Sequence, residues 1–493
     1  MKNISEYKTE TISEDLQENI AFFKEMFKKD SIIRFKNIKI RNSKSIDCTL
    51  VYFDGMVDSE QLNNAVIRPL HQNKPENCSK SIAEYIETQV LYVRDAKRTN
   101  NIAKILSGIL YGEALLLIDK SPEAVLVDTK GFKTRGIAEP DEEQVLQGPR
   151  EGFEEAAMFN LSMLRRRLKT PDFAVESMTI GRRTETFVFI CYLDSLTDEK
   201  TVKLLKQRLS KIDMDGILDS NYIAEIIRDN RFSLFKTSGA TERPDIVAAR
   251  LLEGRIAVIV DGTPVVLTVP YLFSENFQSD EDYYLNFLVS SLGRVLRYLC
   301  FFIAITVPSL FIALTTFHTE LLPTSLCIAN EKLRGGVPFA PFTECLIMLF
   351  VFEILREAGL RMPKGLGHAL SVVGGIVVGQ AAVDARIIST PMLIVVALSA
   401  VSGLMIPRLK GAVFYLRLLL VLSAGIFGLF GVIATFSMIL MHIISLTSFG
   451  VDYTLSMRRA SLQSLKDTFL RAPWFFMKKR PDISENKIRQ RGE

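Results

Sequence analysis

Two hydrophobic periodicities divide this chain. Before residue 270 the apolar positions switch between helix and strand spacing: Leu16, Ile20, Phe23 and Phe27 share one helical face, CTLVYF (Cys48 to Phe53) reads as a strand, and SIAEYIETQVLY (Ser81 to Tyr92) reads as a helix. Such alternation predicts an α/β fold. From 298 to 449 the polar faces that a helix needs where it meets water nearly disappear.

A hydrocarbon core ~30 Å thick requires ~20 apolar residues per helix. Tyr298 to Leu314, Ile387 to Pro407 and Leu418 to Phe449 meet or approach that length without an Asp, Glu, Lys or Arg. Two weaker windows lie between them: Val337 to Leu355, which includes Glu344 and Glu353, and Ala369 to Ala385, which includes Gln380 and Asp384. The pattern predicts an α-helical multi-pass transmembrane domain; a large soluble core is the competing account, weakened by the missing polar faces. Leu418 to Phe449 is longer than a bilayer is thick, so it reads either as one strongly tilted helix or as a tight hairpin bent near Gly425, Gly428 and Gly431.

Basic residues orient these spans. They cluster at Arg294 and Arg297, at Arg356, Arg361 and Lys364, at Arg408, Lys410 and Arg417, and at Arg458, Arg459 and MKKR (Met477 to Arg480). The positive-inside rule puts all four clusters in the cytoplasm, which predicts cytoplasmic termini and an even number of spans, four or six. LTTFHTELLPT (Leu314 to Thr324) then marks the outer mouth of the first span. Its H-x-E lacks the downstream P-C-x-x-C of a zinc deaminase, so His318 reads as an interfacial residue.

The front half partly repeats itself. Tyr52, Asp54 and Asp58 recur as Tyr192, Asp194 and Asp198 at an offset of 140, and Gly112, Asp119 and Pro122 recur as Gly254, Asp261 and Pro264 at an offset of 142. This reads either as duplication of one α/β unit or as chance agreement of common turn residues. In each copy a strand-end aspartate, Asp54 or Asp194, is expected to cap the next helix. The expected organisation is a polar N-terminal tail or helix over 1–40, a first α/β subdomain over 41–132, an exposed linker over 133–155, a second α/β subdomain over 156–290, the transmembrane helices over 294–455 and a basic cytoplasmic tail over 456–493. The run Arg165, Arg166, Arg167 reads as a solvated helix face.

Charge and chemistry narrow the function. In the front half Lys/Arg and Asp/Glu alternate without a basic, aromatic-rich stripe, which argues against nucleic-acid binding. The first residues carry acids where a secretory signal needs a basic start and an apolar core, so the front half is expected in the cytoplasm. The 6 cysteines follow no C-x-x-C spacing and read as buried free thiols. No G-x-x-x-x-G-K-[ST], H-E-x-x-H or G-x-S-x-G motif is present, and no cofactor is expected. An enzyme is the least favoured class.

Several longer stretches carry a family resemblance: KGFKTRGIAEP (Lys130 to Pro140), GPREGFEE (Gly148 to Glu155), LRRRLKTPDF (Leu164 to Phe173), AVIVDGTPVVLTVP (Ala257 to Pro270), SDEDYY (Ser279 to Tyr284), PSLFIALTTFHTELLPT (Pro308 to Thr324), FEILREAGLRMP (Phe352 to Pro363) and TFLRAPW (Thr468 to Trp474). Together they resemble the A subunit of GerA-type spore germinant receptors. The resemblance implies an inner-membrane protein of the spore with a large cytoplasmic N-terminal domain, partnered by a permease-like B subunit and a C lipoprotein subunit. It also implies that the B subunit binds the nutrient while the A subunit forms a homo-oligomer around an ion-conducting path.

A pore needs a helix face that can line it. Val373, Val377, Gln380 and Asp384 share one face at i, i+4, i+7 and i+11, two valines for a dewetting constriction and two polar residues for a cation-attracting end. Gly374, Gly375 and Gly379 on other faces would let neighbouring helices approach. The bland alternative has Gln380 and Asp384 satisfying each other inside a packed bundle. Glu353 and Arg356, at i and i+3, read as an ion pair, whereas Glu344 has no partner nearby in sequence and is the candidate vestibule or cation site. A secondary transporter built on spans broken near Pro308 and Gly374 to Gly379 is the rival function; no internal repeat of the membrane half supports it.

Overall fold

In a computed structural model the described residues are 4–40, 46–72, 81–131, 143, 147–361, 377–455, 466–477 and 480. They form two five-stranded sheets, ordered β1-β2-β4-β5-β3 and β6-β7-β9-β10-β8. The strands of the first are β1 (Ile33–Ile40), β2 (Ile46–Phe53), β3 (Ala96–Thr99), β4 (Ala114–Ile118) and β5 (Ala124–Val127). Those of the second are β6 (Phe173–Ile180), β7 (Thr186–Leu193), β8 (Gly239–Thr241), β9 (Ile256–Val260) and β10 (Val266–Val269).

The second sheet repeats the first in pairing as well as in order. β1 pairs antiparallel with β2 from Ile33 opposite Phe53 to Ile40 opposite Ile46, and β6 pairs with β7 from Phe173 opposite Leu193 to Ile180 opposite Thr186. Cys48 faces Ile118 in one sheet and Val188 faces Val260 in the other. These partners keep the offsets of 140 and 142 seen in the sequence. Turn residues alone do not set pairing register. The turns agree too: Gly112 (φ 93°) and Gly254 (φ 83°) each end a helix in the left-handed region that glycine enters at no steric cost. Glu113 N donates to Gly108 O and Arg255 N to Arg250 O at the equivalent step.

Capping differs from expectation. Asp58 and Asp198, five residues past the strand ends, accept from Glu60 and Gln61 N and from Lys200 N. Asp54 and Asp194 instead pair with Arg34 (3.4 Å) and Lys29 (2.6 Å), because the intervening turn carries them away from the helix start.

Residues 4–40 contain a helix and a strand. The helix Leu16–Met26, N-capped by Asp15, buries Leu16, Ile20, Phe23 and Met26, and β1 is an edge strand of the first sheet. The burial of β1 is weak, with only Ile38 and Ile40 of its eight residues buried, which is why its alternation does not stand out in sequence. One core cluster runs from Leu16 and Phe53 to Leu164, Val175 and Leu251, so the N-terminal helix and the helix Ala157–Arg167 lie between the two sheets. Here Arg165 is fully buried on Asp30, with its guanidinium 4.2 Å from the Phe53 ring centre and 5.0 Å from that of Phe173. Arg166 and Arg167 both reach Glu151, at 2.7 and 2.6 Å. Arg165 therefore ties its helix to the first unit, while Arg166 and Arg167 hold the connecting segment; their acids come from 135 and about 15 positions away, outside any helical window. The described end of the expected linker also packs, with Phe153 buried.

The back half is helical. The lead helix Phe287–Ile312, capped by Asn286, continues as a π-helical turn to Phe317; its 26 residues extend about 39 Å. Thr324–Arg334, Pro341–Arg361, residues 377–384, Thr390–Leu404 and Lys410–Ser445 follow as helices. Among the described residues, Phe287–Phe317 and Pro407–Ser445 are long and apolar enough to cross a membrane, and Thr390–Leu404 is a shorter apolar helix.

Lys410–Ser445 is a hairpin, which settles the choice left open for Leu418 to Phe449. A straight helix of its 36 residues would run about 54 Å. Yet Arg408, just before it, donates to Glu275 O and Gln278 O, while Ser448 and Tyr453, just after it, bond Tyr271 N and Phe273 N. Both ends meet one short segment. The reversal is at Gly428, φ 58° and ψ −140°. There a Cβ on Gly431 would collide with Ser423 O across the turn, so the bend brings backbone against backbone where only glycine fits.

Candidate functional site at the junction

Between the last strand of the second sheet and the lead helix runs PYLFSENFQSDEDYY (Pro270 to Tyr284), which forms the 3-10 turns Phe273–Phe277 and Asp280–Tyr283. Apolar and acidic residues alternate here at short range, so the turns bury Phe273 and Phe277 while presenting Glu275, Asp280 and Asp282 to cations from several elements. Phe277 stacks on Tyr298 of the lead helix at 4.0 Å, and Phe273 lies edge-on to Phe301 at 6.2 Å.

Each acid ties the segment to a different body. Glu275, buried, takes Arg255 at 2.5 Å and Arg250 at 3.5 Å from the second α/β unit and accepts Leu272 N at 2.6 Å. Asp280 takes Arg408, at the foot of the helical hairpin, at 2.6 Å. Asp282, buried, holds Arg294 at 2.8 Å and Arg297 at 2.6 Å on the lead helix. Arg294 also binds Asp467 at 2.9 Å, and Tyr283 donates its hydroxyl to the same carboxylate at 3.0 Å. The second unit reaches back through Tyr284, whose hydroxyl donates to Asp245, itself paired with Arg243 at 2.7 Å.

The exit of the hairpin docks alongside. His442 Nε2 lies 3.0 Å from Ser233 Oγ, Ser448 Oγ donates to Thr237 O, and Phe449 enters the core on the outer face of the second sheet under the Arg208 guanidinium. Burial of these groups shapes their ionisation. Desolvation, followed by the nearby Asp280 charge, raises the Glu143 carboxyl above its usual range despite Arg408 at 3.9 Å. Burial pushes the Tyr283 phenol well up. Burial also works against the Arg255 cation, but Glu275 and Glu253 outweigh it and the net shift is upward. Arg255 and Glu275 thus remain a charged pair.

These residues escaped the sequence reading. Arg294, Arg297 and Arg408 read there as free charges that orient helices, whereas here acids of 280–282 neutralise them. The signal lay in the acidic run SDEDYY placed between basic clusters on both sides. The basic tail is likewise engaged through Asp467 and Arg471, the latter donating its N–H to Ser291 Oγ at 3.0 Å.

The residues singled out from sequence lie farther up the helices. Glu344 is fully buried and accepts from Ser389 N (2.9 Å) and Ser389 Oγ (2.6 Å) with Arg334 at 3.2 Å, so the partner missing from nearby sequence comes from the helix Thr324–Arg334. Its carboxylate caps the start of Thr390–Leu404 rather than standing open. Glu353 and Arg356 form the expected ion pair. Gln380 Nε2 donates to Asp384 Oδ1 at 3.0 Å, and Val377, Gln380 and Asp384 are all exposed on the single chain. Val373, Gly374 and Gly375 lie outside the described residues. A Cβ on Gly379 would meet Leu393 at an ordinary 3.4 Å, so close helix approach is enforced at Gly425 and Gly431 instead. His318 sits at the far end of the lead helix, 3.5 Å from Glu320; among the described residues no three metal-ligating side chains gather.

The site therefore defines a class: a chain in which a twinned α/β region is bolted by buried ion pairs to an apolar helical bundle. The chain belongs to the Bacillus/Clostridium GerA spore germination protein family, whose model matches residues 21–483. It is 40% identical to spore germination protein KA of Bacillus subtilis (strain 168) over 97% of this chain and 89% of that protein. It is 36% identical to a B. subtilis protein described as uncharacterized membrane protein YfkQ over 100% of this chain and 96% of that one. Among solved structures, the N-terminal domain of the A subunit of the Bacillus megaterium spore germinant receptor GerK3 is similar at 34% identity, over 54% of this chain and 98% of that domain, with a TM-score of 0.42.

Proposed function

We propose that this chain is the A-type membrane subunit of a nutrient-sensing spore germinant receptor, and that it oligomerises through its helical region into a ligand-gated cation path. Family membership and the names of its relatives support the role in germination; the word membrane in the name of one relative supports the location. Six spans fit the helices best. The lead helix leaves the junction, Pro341–Arg361 starts beside the hairpin tip where Phe342 meets Gly425, and residues 377–384 end beside Ser389, which bonds Glu344 near that same tip. Thr390–Leu404 returns toward Arg408, and the two hairpin arms rise and descend. Both chain ends then lie on the cytoplasmic side of the spore inner membrane with the α/β units.

The observation that carries the pore is the face of residues 377–384. Val377, Gln380 and Asp384 are exposed while Gly379 is buried against Leu393. A polar and valine face left uncovered on an apolar helix suits a water-filled axis shared by several copies. The Gln380 to Asp384 hydrogen bond leaves Asp384 Oδ2 for cations. Permease-like B and lipoprotein C subunits would complete the receptor, with the nutrient bound by the B subunit and the junction passing its signal to the helices. A non-catalytic role fits this assembly.

The test is the receptor complex reconstituted in liposomes. Nutrient-triggered cation flux at channel rates, altered by Val377→Ala and reduced by Asp384→Asn, is the expected result. Saturable solute uptake without current would establish the transporter instead.

A further inference from the structure

We propose that residues 469–476, FLRAPWFF, form an interfacial strap that seats Trp474, Phe475 and Phe476 among lipid headgroups at the cytoplasmic edge of the bilayer. The inference rests on the membrane reading above and adds a contact surface to it. Leu470, Phe475 and Phe476 expose 53%, 65% and 56% of their surface, an unusual concentration for one short segment. The strap is nonetheless firmly hung. Arg471 N donates to Ser291 Oγ at 3.0 Å, Ser291 Oγ donates to Arg471 O at 3.1 Å, and the Phe469 ring packs 4.9 Å from Tyr298. Trp474 lies beside Tyr283 at 6.0 Å and under the Arg471 guanidinium at 5.4 Å, and Phe475 packs on Phe476 at 4.6 Å. Aromatic side chains are thus held rigidly outward.

Depth selects the occupant. Tyr283, beside Trp474, lies 5.4 Å from the Arg294 guanidinium, and Arg294 precedes the charge-free run that begins at Tyr298 by four residues, about 6 Å of helix. Headgroup layers extend roughly 5–8 Å beyond each side of the hydrocarbon core. The strap therefore hangs at headgroup level, where Trp and other amphipathic rings are favoured. Leu288, Leu292, Leu296 and Leu299 of the lead helix are also exposed, so an apolar surface continues upward from the strap into the run itself. A bilayer that covers the upper part reaches the lower without a break.

Trp474 is the only tryptophan of the chain, so its emission reports on the strap alone. The full chain is reconstituted in phosphatidylcholine/phosphatidylglycerol vesicles with acyl chains unlabelled, brominated at carbons 6 and 7, or brominated at carbons 11 and 12. The expected result is a loss of emission with the shallow bromines, a smaller loss with the deep ones, and a red shift in the Phe475→Ser/Phe476→Ser variant. Unchanged emission with both bromolipids, in protein that resists carbonate extraction, would overturn the strap and leave the membrane reading standing; a second copy or water would then cover it. Extraction by carbonate would overturn both.

Discussion

The two α/β units share strand order, register and helix-ending glycines, yet among the described residues only the second is built into the junction. Equivalent positions show how. Gly108, Glu113, Asn101 and Ala103 of the first unit correspond, 142 residues on, to Arg250, Arg255, Arg243 and Asp245 of the second. Asn101 caps its helix by accepting from Lys104 N, whereas Arg243 at the same place makes no side-chain cap and pairs with Asp245. Gly108 leaves room for Leu126; Arg250 in its place bonds Thr268, the counterpart of Leu126, and extends to Glu275. One backbone plan thus serves two tasks: local stability in the first copy, attachment to the helices in the second.

The largest test of that difference removes a junction acid. Asp282→Ala leaves Arg294 and Arg297 without their shared carboxylate, and breaking a buried pair from one side costs about 3–5 kcal/mol. We expect a strongly lowered unfolding transition for the detergent-solubilised chain. The corresponding cut between the units, Asp30→Ala, strands Arg165 and carries a similar cost by the same rule. Hydrogen exchange would separate the two: Asp282→Ala should release segment 270–284 and the start of the lead helix, Asp30→Ala the N-terminal helix.

A milder change imports the first unit's solution into the second. Arg250→Gly with Thr268→Leu should keep β9 and β10 protected from exchange while segment 270–278 exchanges faster; loss of protection in the strands would mean that the arginine supports the sheet rather than the junction. Smaller still, Gly112→Ala and Gly254→Ala should each cost about 1–2 kcal/mol for a left-handed residue. Denaturation midpoints should fall by similar amounts, because the two turns share one geometry.

The smallest effect is a pH dependence. The Glu143 pKa is raised above 4.5 in the folded chain, so the native state holds a proton that the unfolded state has released. Its favourable contribution is complete below the unfolded value and is lost as pH rises through the raised one. Glu143→Gln should flatten that part of the stability profile, read as unfolding midpoint against pH.

Much of this architecture was legible beforehand. The α/β character and the apolar windows depend on local spacing, which a chain displays residue by residue, whereas the matched offsets alone left the repeat open between duplication and chance. The repeat's offsets even carry the pairing register. Legibility failed where partners are distant. Arg165 looked solvated because Asp30 lies 135 residues earlier, and Glu344 looked free because Arg334 and Ser389 approach it only when three helices pack. At Asp54 and Asp194 the error was one of geometry, since a strand-end turn decides which aspartate meets the helix.

Periodicity and composition, being properties of neighbours along the chain, determined by themselves that this protein joins an α/β region to apolar helices. Tertiary structure alone decided that Lys410–Ser445 folds back on itself and that the acids of Pro270 to Tyr284 gather cations from the second α/β unit, the lead helix and the foot of the hairpin. The physical reason is that a buried charge is tolerated only beside its counter-charge, and which charges become neighbours is set by how the backbone packs.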